Sequence, residues 1–433
     1  MNTAIDPRAK PDRLTTPRPA GCWRPLLDGA DALQAWGLIE SIASTLAQEE
    51  VLDALPIGLH RGLSGVAIFF TQLALARPGL GWEALAQDLI ARSVDRLGET
   101  DMLIRFMDGF PGVAWSVDQV QSHLAGPDDD VNEDVDEVLQ RFMDIGPRPA
   151  AFDLISGLVG FGVYGLGRAG KGSGRAIAEQ VVRDLERESV VTDLGITWHS
   201  APQFLPSWQR EMNPEGHFDL GISHGVSGVI AFLAQAFAVG VEADRARRLL
   251  EGAVPWLLAQ RYPTEEALRF PRLRNGRGEA EPVRYGVSWC YGDLSASIAL
   301  LGAARRIGRS DWETEALDLA RRMSARTPAT VDMPATGLCH GAIGAAHLFN
   351  RLFQATGEPA FEAAARAWIT ETFVRWDGLK LTGMESIDYP DMPAWYCDAG
   401  FLVGWAGVGL GLLAAVTAQE PVWDRMMLMD LPA

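Results

Sequence analysis

Arg61-Gly62-Leu63-Ser64-Gly65-Val66-Ala67-Ile68-Phe69-Phe70 sets a Gly-x-x-Gly turn directly before an apolar run. The same arrangement, or a close variant, recurs six more times along the chain. The further copies are Asp108-Gly109-Phe110-Pro111-Gly112, Ser156-Gly157-Leu158-Val159-Gly160 and Ser223-His224-Gly225-Val226-Ser227-Gly228, then Tyr291-Gly292-Asp293-Leu294-Ser295, His340-Gly341-Ala342-Ile343-Gly344 and Val403-Gly404-Trp405-Ala406-Gly407. Serine takes the place of the second glycine in the fifth. A fixed motif at a long period is the mark of a repeat architecture.

The first glycines stand at 62, 109, 157, 225, 292, 341 and 404, so the steps are 47, 48, 68, 67, 49 and 63. A step of 47 to 49 residues holds two helices of about three to five turns with their connections, and the longer steps carry insertions. The glycine-led segments are apolar nearly all round and read as buried helices. Between them Trp82–Leu97, Val131–Met143, Gly174–Glu188, Ala243–Trp256, Trp312–Ser324 and Pro359–Trp376 place apolar residues every three or four positions opposite a charged face, the pattern of surface helices. Alternation of the two kinds, seven of each, predicts an all-α fold, a closed α/α barrel with an inner and an outer ring. A linear solenoid would need polar end caps, and the seventh copy is too apolar for that. One barrel domain is expected over 26–433, behind a Pro/Arg-rich extension at 1–25, with loop insertions at about 192–220 and 261–287. Both insertions lead into glycine copies with reactive side chains, and long loops beside a site commonly form its walls.

Apolar residues make up 48% of the chain and charged residues 22%, enough for a large core. The net charge of −18 excludes sequence-independent nucleic-acid binding, which needs a basic face, and suits a cationic partner better than anionic lipid. The N-terminus mixes prolines with Arg8, Lys10, Arg13, Arg18 and Arg24 and lacks the apolar core of a signal peptide. Gly400–Ala418 is almost free of polar side chains, yet it repeats the glycine-led pattern found elsewhere, so a buried helix is expected there and no membrane span. The acidic run Asp128 to Glu137 lacks the glycine and spacing of a calcium loop, and Asp130 or Asn132 is expected to cap a surface helix.

The four cysteines, Cys22, Cys290, Cys339 and Cys397, are too few and too scattered for a disulfide framework. A reducing, cytoplasmic setting follows, where free thiols can bind metal. Cys22 and Cys397 read as small buried hydrophobes. Cys290, Cys339 and His340 differ, because they occupy equivalent positions in adjacent copies, just ahead of the glycine. Two thiolates and an imidazole make three ligands for one zinc ion, and three rather than four leaves a position open for chemistry. The residues directly before the first glycines are Arg61, Asp108, Ser156, His224, Tyr291, His340 and Val403, and before those stand His60, Met107, Ile155, Ser223, Cys290, Cys339 and Leu402. If the copies are equivalent, these side chains point to one end of the barrel and meet in a funnel. His60, His123, His199, His217 and His347 read as surface or satisfied core histidines, His60 least securely since it shares the cysteines' repeat position.

With Gly221-Ile222-Ser223-His224-Gly225, Trp289-Cys290-Tyr291-Gly292 and Gly337-Leu338-Cys339-His340-Gly341, the chain resembles the lanthionine synthetase C-like proteins, the lanthipeptide cyclases. The resemblance runs from about Pro56 to the end. It implies a double α/α toroid, in agreement with the repeat. It also implies a zinc-dependent enzyme that adds a peptide cysteine thiol to dehydroalanine or dehydrobutyrine in the same peptide, giving a lanthionine or methyllanthionine thioether ring. By motif, Cys290, Cys339 and His340 fall on the ligands of one zinc ion per chain. His224, Tyr291 and Asp153, the last followed by Ser156-Gly157-Leu158, fall on active-site positions.

Physical chemistry suits those roles. Zinc deprotonates a thiol that is otherwise largely protonated at neutral pH. Attack on the alkene builds an enolate that needs a proton, and His224 is the expected general acid. Asp153 would orient or charge that imidazole, or take the thiol's proton, and Tyr291 would hydrogen-bond the enolate oxygen or pack beside the metal. The family commonly carries an arginine four residues before the cysteine of the Trp-Cys-Tyr-Gly string. Here that position is Gly286, and Arg284 is the expected substitute.

The expected partners are a dehydrated precursor peptide with its leader and a separate dehydratase. A zinc barrel of the prenyltransferase kind would use an aspartate, a cysteine and a histidine. A carbohydrate-active toroid would need paired acids at barrel-end positions, and only Asp108 and Asp153 are available. The remaining alternative is a noncatalytic family member that holds a thiol peptide or glutathione.

Overall fold

In the computed structural model of the chain the described residues are 23–100, 102–124, 130–145, 151–263, 268–377, 380–381, 384–385, 395–396 and 398–432. Cys22, Cys397, Asp128, Asp129 and all of the N-terminal extension before Trp23 lie outside them. The helices are α1 (Gly29–Leu46), α2 (Glu49–Asp53), α3 (Leu63–Ala76), α4 (Trp82–Leu97), α5 (Phe110–Leu124), α6 (Glu133–Asp144), α7 (Leu158–Gly167), α8 (Gly174–Arg187), α9 (Ser207–Met212), α10 (Val226–Ala238), α11 (Ala243–Ala259), α12 (Asp293–Ile307), α13 (Ser310–Ser324), α14 (Ala342–Thr356), α15 (Pro359–Arg375) and α16 (Trp405–Val416).

Each of the seven glycines stands immediately before an inner helix: α3, α5, α7, α10, α12, α14 and α16. The preceding loop folds back over the helix start and caps it with main-chain carbonyls. Leu158 N donates to Ala151 O (2.9 Å) and Val159 N to Phe152 O (3.1 Å), and the pattern repeats at Leu63 with Pro56 (2.8 Å), Ala342 with Ala335 (3.0 Å) and Trp405 with Asp398 (2.9 Å). These bonds occupy first-turn N–H groups that a helix cannot satisfy internally. They also explain the glycine, since a Cβ on Gly157 would sit 1.8 Å from the Ala151 carbonyl oxygen.

Successive inner helices pack side by side, and α16 packs back on α3 to close the ring. Six outer helices, α4, α6, α8, α11, α13 and α15, follow their inner partners in sequence, and the seventh is α1, from the other end of the chain. It lies on α16, where Leu26 N and Leu27 N donate to Ala415 O and the Trp23 indole donates to Ala414 O (2.8 Å). The fold is thus a helical toroid of seven inner and seven outer helices among the described residues. α16 is 12 residues long, and among the described residues no helix is long and apolar enough to cross a membrane.

Two buried ion clusters brace the rings. Arg168, 1% exposed, holds Asp118 (2.6 Å), Asp130 (2.7 Å) and Asp136 (3.1 Å). Asp130 therefore serves this cluster instead of capping α6. Asn132 is the N-cap residue, but it makes no side-chain cap bond and donates its amide to Ala114 O (2.9 Å). The second cluster, Asp424 with Arg351 (2.6 Å) and His347 (2.7 Å), anchors the C-terminal segment. Trp423, Met426, Met427, Met429 and Leu431 of that segment are buried. It touches α7, stacks Trp423 on His347 of α14, pairs Asp430 with Arg306 of α12 and accepts from Gln235 of α10, so it fills the interior of the inner ring.

Two short strands, β1 (Val190–Thr192) and β2 (Gly195–Thr197), form a hairpin on α11. The later part of the first insertion then pairs with the second. β3 (His217–Asp219), β4 (Leu273–Asn275) and β5 (Ala280–Glu281) make an antiparallel sheet in the order β3-β4-β5, with Asp219 opposite Leu273. Above the inner ring, the pre-glycine loops are linked by a closed circle of main-chain bonds. His60 N donates to Met107 O, Met107 N to Ile155 O, Leu154 N to Ser223 O, Ile222 N to Cys290 O, Cys290 N to Cys339 O, Cys339 N to Leu402 O, and Leu402 N back to His60 O.

Candidate active site

A cavity of about 760 Å³ opens at that circle. Twelve of the fourteen residues at the two positions before the repeat glycines line it, all but Arg61 and Met107. The repeat thus gathers side chains that are far apart in sequence. The first insertion adds Phe204, Pro206 and Trp208, and the paired strands add His217, Asp219 and Arg272.

Cys290, Cys339 and His340 meet at one side, with their Sγ and imidazole nitrogen atoms within 4.8 Å of one another. Neither cysteine is in a disulfide. A tetrahedral zinc with bonds of about 2.3 Å sets neighbouring donors about 3.8 Å apart, which small side-chain rotations reach from this arrangement. The donor set fits a zinc ion with one position open.

His224, at the mouth of α10, keeps 41% of its side chain accessible and faces Asp153 from the loop before α7, with His224 Nδ1 2.8 Å from Asp153 Oδ2. Asp153 is held in turn by Ser156 N on its other oxygen (2.6 Å). Burial works against charge on the imidazole, but the Asp153 carboxylate, its hydrogen bond and Asp219 outweigh it and raise the His224 pKa. The imidazolium is therefore favoured more than in an isolated histidine.

Tyr291 lines the cavity with its hydroxyl donated to Asp219 Oδ2 (3.0 Å). Burial, and then the Asp219 charge, push its pKa well above the usual range and keep the phenol neutral. Asp219 is 2% exposed and also accepts from Gly221 N (2.8 Å), and burial raises its pKa. The Arg272 guanidinium lies over the Tyr291 ring, 4.8 Å from its centroid, and pairs with Glu281 (3.0 Å).

Arg284 is not brought into this group. It is not among the residues that line the cavity, and its guanidinium lies over the Tyr285 ring, 5.1 Å from the centroid. Gly286 has φ +78°, and a Cβ there would meet Leu268 Cδ2 at 2.2 Å. That backbone disfavours any side chain at 286.

His347 is paired with Asp424 in the core, as expected of a core histidine, whereas three of the other histidines are found at the site. His60, His199 and His217 line the cavity. His60 Nε2 is buried without a hydrogen-bond partner among the described residues, and burial, then Arg61 and His340, lower its pKa to about 3. Burial, then Arg272, lower that of His217 to about 4. Asp219 and Arg272 were missed because they sit in insertions outside the repeat. Their one local signal, the polar His217 and Asp219 two apart on a single strand face, is too short to read as a strand.

A family model described as lanthionine synthetase C-like protein matches residues 53–428. Among solved structures, nisin cyclase superposes with a TM-score of 0.68 at 16% identity, over 92% of this chain and 97% of that one. A sugar epimerase from a ruminal bacterium aligns with a TM-score of 0.44 at 11% identity, over 88% of this chain and 98% of that one, too weakly to carry an argument. No curated protein matches the sequence. The repeat glycines, the toroid and the family match over 53–428 agree: the chain belongs to the lanthionine synthetase C-like proteins.

Proposed function

We propose that the protein is a zinc-dependent lanthipeptide cyclase that closes thioether rings in a dehydrated precursor peptide. The observation that carries this reading is the placement of Cys290, Cys339 and His340 in one cavity with the His224–Asp153 pair. A thiol-activating donor set and a proton donor are the two devices that adding S–H across an activated alkene requires.

The three donors would hold one zinc ion, which when bound keeps a substrate thiol deprotonated and nucleophilic. This chain's own residues do the rest. Asp153 fixes the imidazole's orientation and favours its protonated form, and His224 delivers that proton to the α-carbon once the C–S bond has formed. Tyr291, braced by Asp219, shapes the wall beside the metal ligands. Arg284 takes no part, given its place over Tyr285. The alkene must already be present, so a separate dehydratase acts first on serine or threonine of the same peptide. Two cysteines close together and not joined in a disulfide suit a reducing compartment such as the cytoplasm.

The test is incubation of the zinc-loaded protein with a peptide carrying one dehydroalanine and one cysteine. Loss of free thiol at constant mass supports the reading. Tight binding of the peptide with no thiol loss would instead identify a noncatalytic thiol-peptide binder.

A further inference from the structure

The position of the Tyr291 hydroxyl leaves the reaction short of a donor. A phenol has one proton, and here it is given to Asp219. Tyr291 cannot give the same proton to a substrate oxygen. Negative charge nevertheless collects on the carbonyl oxygen of the dehydro residue as sulfur attacks, and a buried oxyanion needs a preorganised partner. His224 is engaged in delivering a proton to carbon.

Among the described residues two arginines line the cavity. Arg105 is 43% exposed and belongs to copy two, beside Asp108. Arg272 is different in three respects. Its side chain is 19% exposed, it lies against the Tyr291 ring next to the metal ligands, and its Nε is buried with no acceptor among the described residues. Its ion pair with Glu281 engages one terminal nitrogen, and a hydrogen bond to the Tyr291 side chain helps to hold the fork. The main chain on either side is held in the sheet, with Arg272 N donating to Glu281 O (2.7 Å) and Leu220 N donating to Arg272 O (3.0 Å). A guanidinium fixed in this way is suited to binding an oxyanion.

We infer that Arg272, delivered by the sheet joining the two insertions, is the catalytic cation that binds the enolate oxygen. This rests on the cyclase reading above. In the step, the thiolate lone pair forms the S–Cβ bond, the Cα=Cβ pair moves to make Cα=C, and the carbonyl π pair moves onto oxygen, facing Arg272. Return of those electrons lets Cα take the proton from His224, which is recharged from solvent. The proton lost by the thiol balances it, so the sum is S–H added across the alkene.

The experiment compares zinc-loaded wild type, Arg272→Gln, Arg272→Lys and Glu281→Gln on the dehydroalanine–cysteine peptide, with zinc content and melting temperature measured for each. Arg272→Gln is expected to lower kcat by about 10²–10³-fold with KM and zinc content little changed. Arg272→Lys should recover part of the rate, and added guanidinium ion should partly rescue Arg272→Gln. Glu281→Gln should lose clearly less of kcat than Arg272→Gln, since it keeps the cation and loosens only one of its anchors. A kcat in Arg272→Gln within about threefold of wild type, or equal losses in Arg272→Gln and Glu281→Gln, would reduce Arg272 to a brace of the sheet and overturn the inference. If wild type consumes no thiol, the cyclase reading itself fails and this one falls with it.

Discussion

His224 Nδ1 stands 2.8 Å from Asp153 Oδ2, joining the loops before two neighbouring inner helices. The pair raises the imidazole pKa, so the acid form persists to higher pH than for an isolated histidine. If His224 is the general acid, cyclisation holds at low pH and falls as pH rises through that raised pKa. His224→Ala should lower the rate by about 10²–10⁴-fold. Asp153→Asn removes the charge that favours the imidazolium, so the alkaline limb of the pH–rate profile should move to lower pH. An unmoved limb in single-turnover measurements would separate Asp153 from the imidazole's protonation.

Metal content gives a second check. Purified protein should carry about one zinc per chain, and Cys290→Ala or Cys339→Ala should lose most of it. Because two thiols must deprotonate to bind, titration of zinc into apoprotein near neutral pH should release about two protons. Calorimetry in buffers of different ionisation enthalpy reads that number, and zinc retained in both variants would rule out the site.

The cluster inside the ring predicts a stability effect far from the chemistry. Asp424 is fully buried, and although burial opposes its charge, Arg351 and His347 hold its pKa below the ordinary 3.8. Asp424→Asn should destabilise the fold by up to about 3–5 kcal/mol, since it removes the closer of the two counter-charges of Arg351 and leaves only Glu420 at 3.1 Å. With a depressed pKa, the carboxylate's contribution is complete above the unfolded value and is lost as pH falls through the lower folded one. Denaturant midpoints of wild type should therefore drop as pH falls below about 4, and less so in the variant.

Gly286→Arg tests whether an arginine can simply be restored at the family's position. At φ +78° a side chain costs about 1–2 kcal/mol, and the new Cβ collides with Leu268. The variant should melt lower than wild type and cyclise no faster. A faster, equally stable variant would show that the loop adapts.

The ring architecture was legible in the sequence because each inner helix repeats one local solution, a glycine under a folded-back loop, and repetition makes a weak signal strong. Cys290, Cys339, His340 and His224 were legible for the same reason, since repeat position assigns them to one end, and Asp153 was read from the family resemblance. The seventh outer helix was not, because α1 joins α16 across nearly the whole chain. Asp219 and Arg272 were hidden in insertions whose strands are two or three residues long, where pairing depends on long-range contact and not on any local pattern. Arg284 was chosen by nearness in sequence to the missing arginine. The sheet instead brings in a residue 14 positions ahead of Gly286.

The C-terminal segment decides how a long substrate can travel. With Trp423 to Leu431 packed inside the inner ring, and the Trp289 indole of the cavity lining bonded to Met427 O (2.9 Å), the described residues make the toroid a blind cup with no passage through it. A peptide cannot be threaded from one face to the other like a cord through a bead. On the cyclase reading, each segment to be closed would dip in and back out by the same mouth, and a product of several rings would be built by repeated visits.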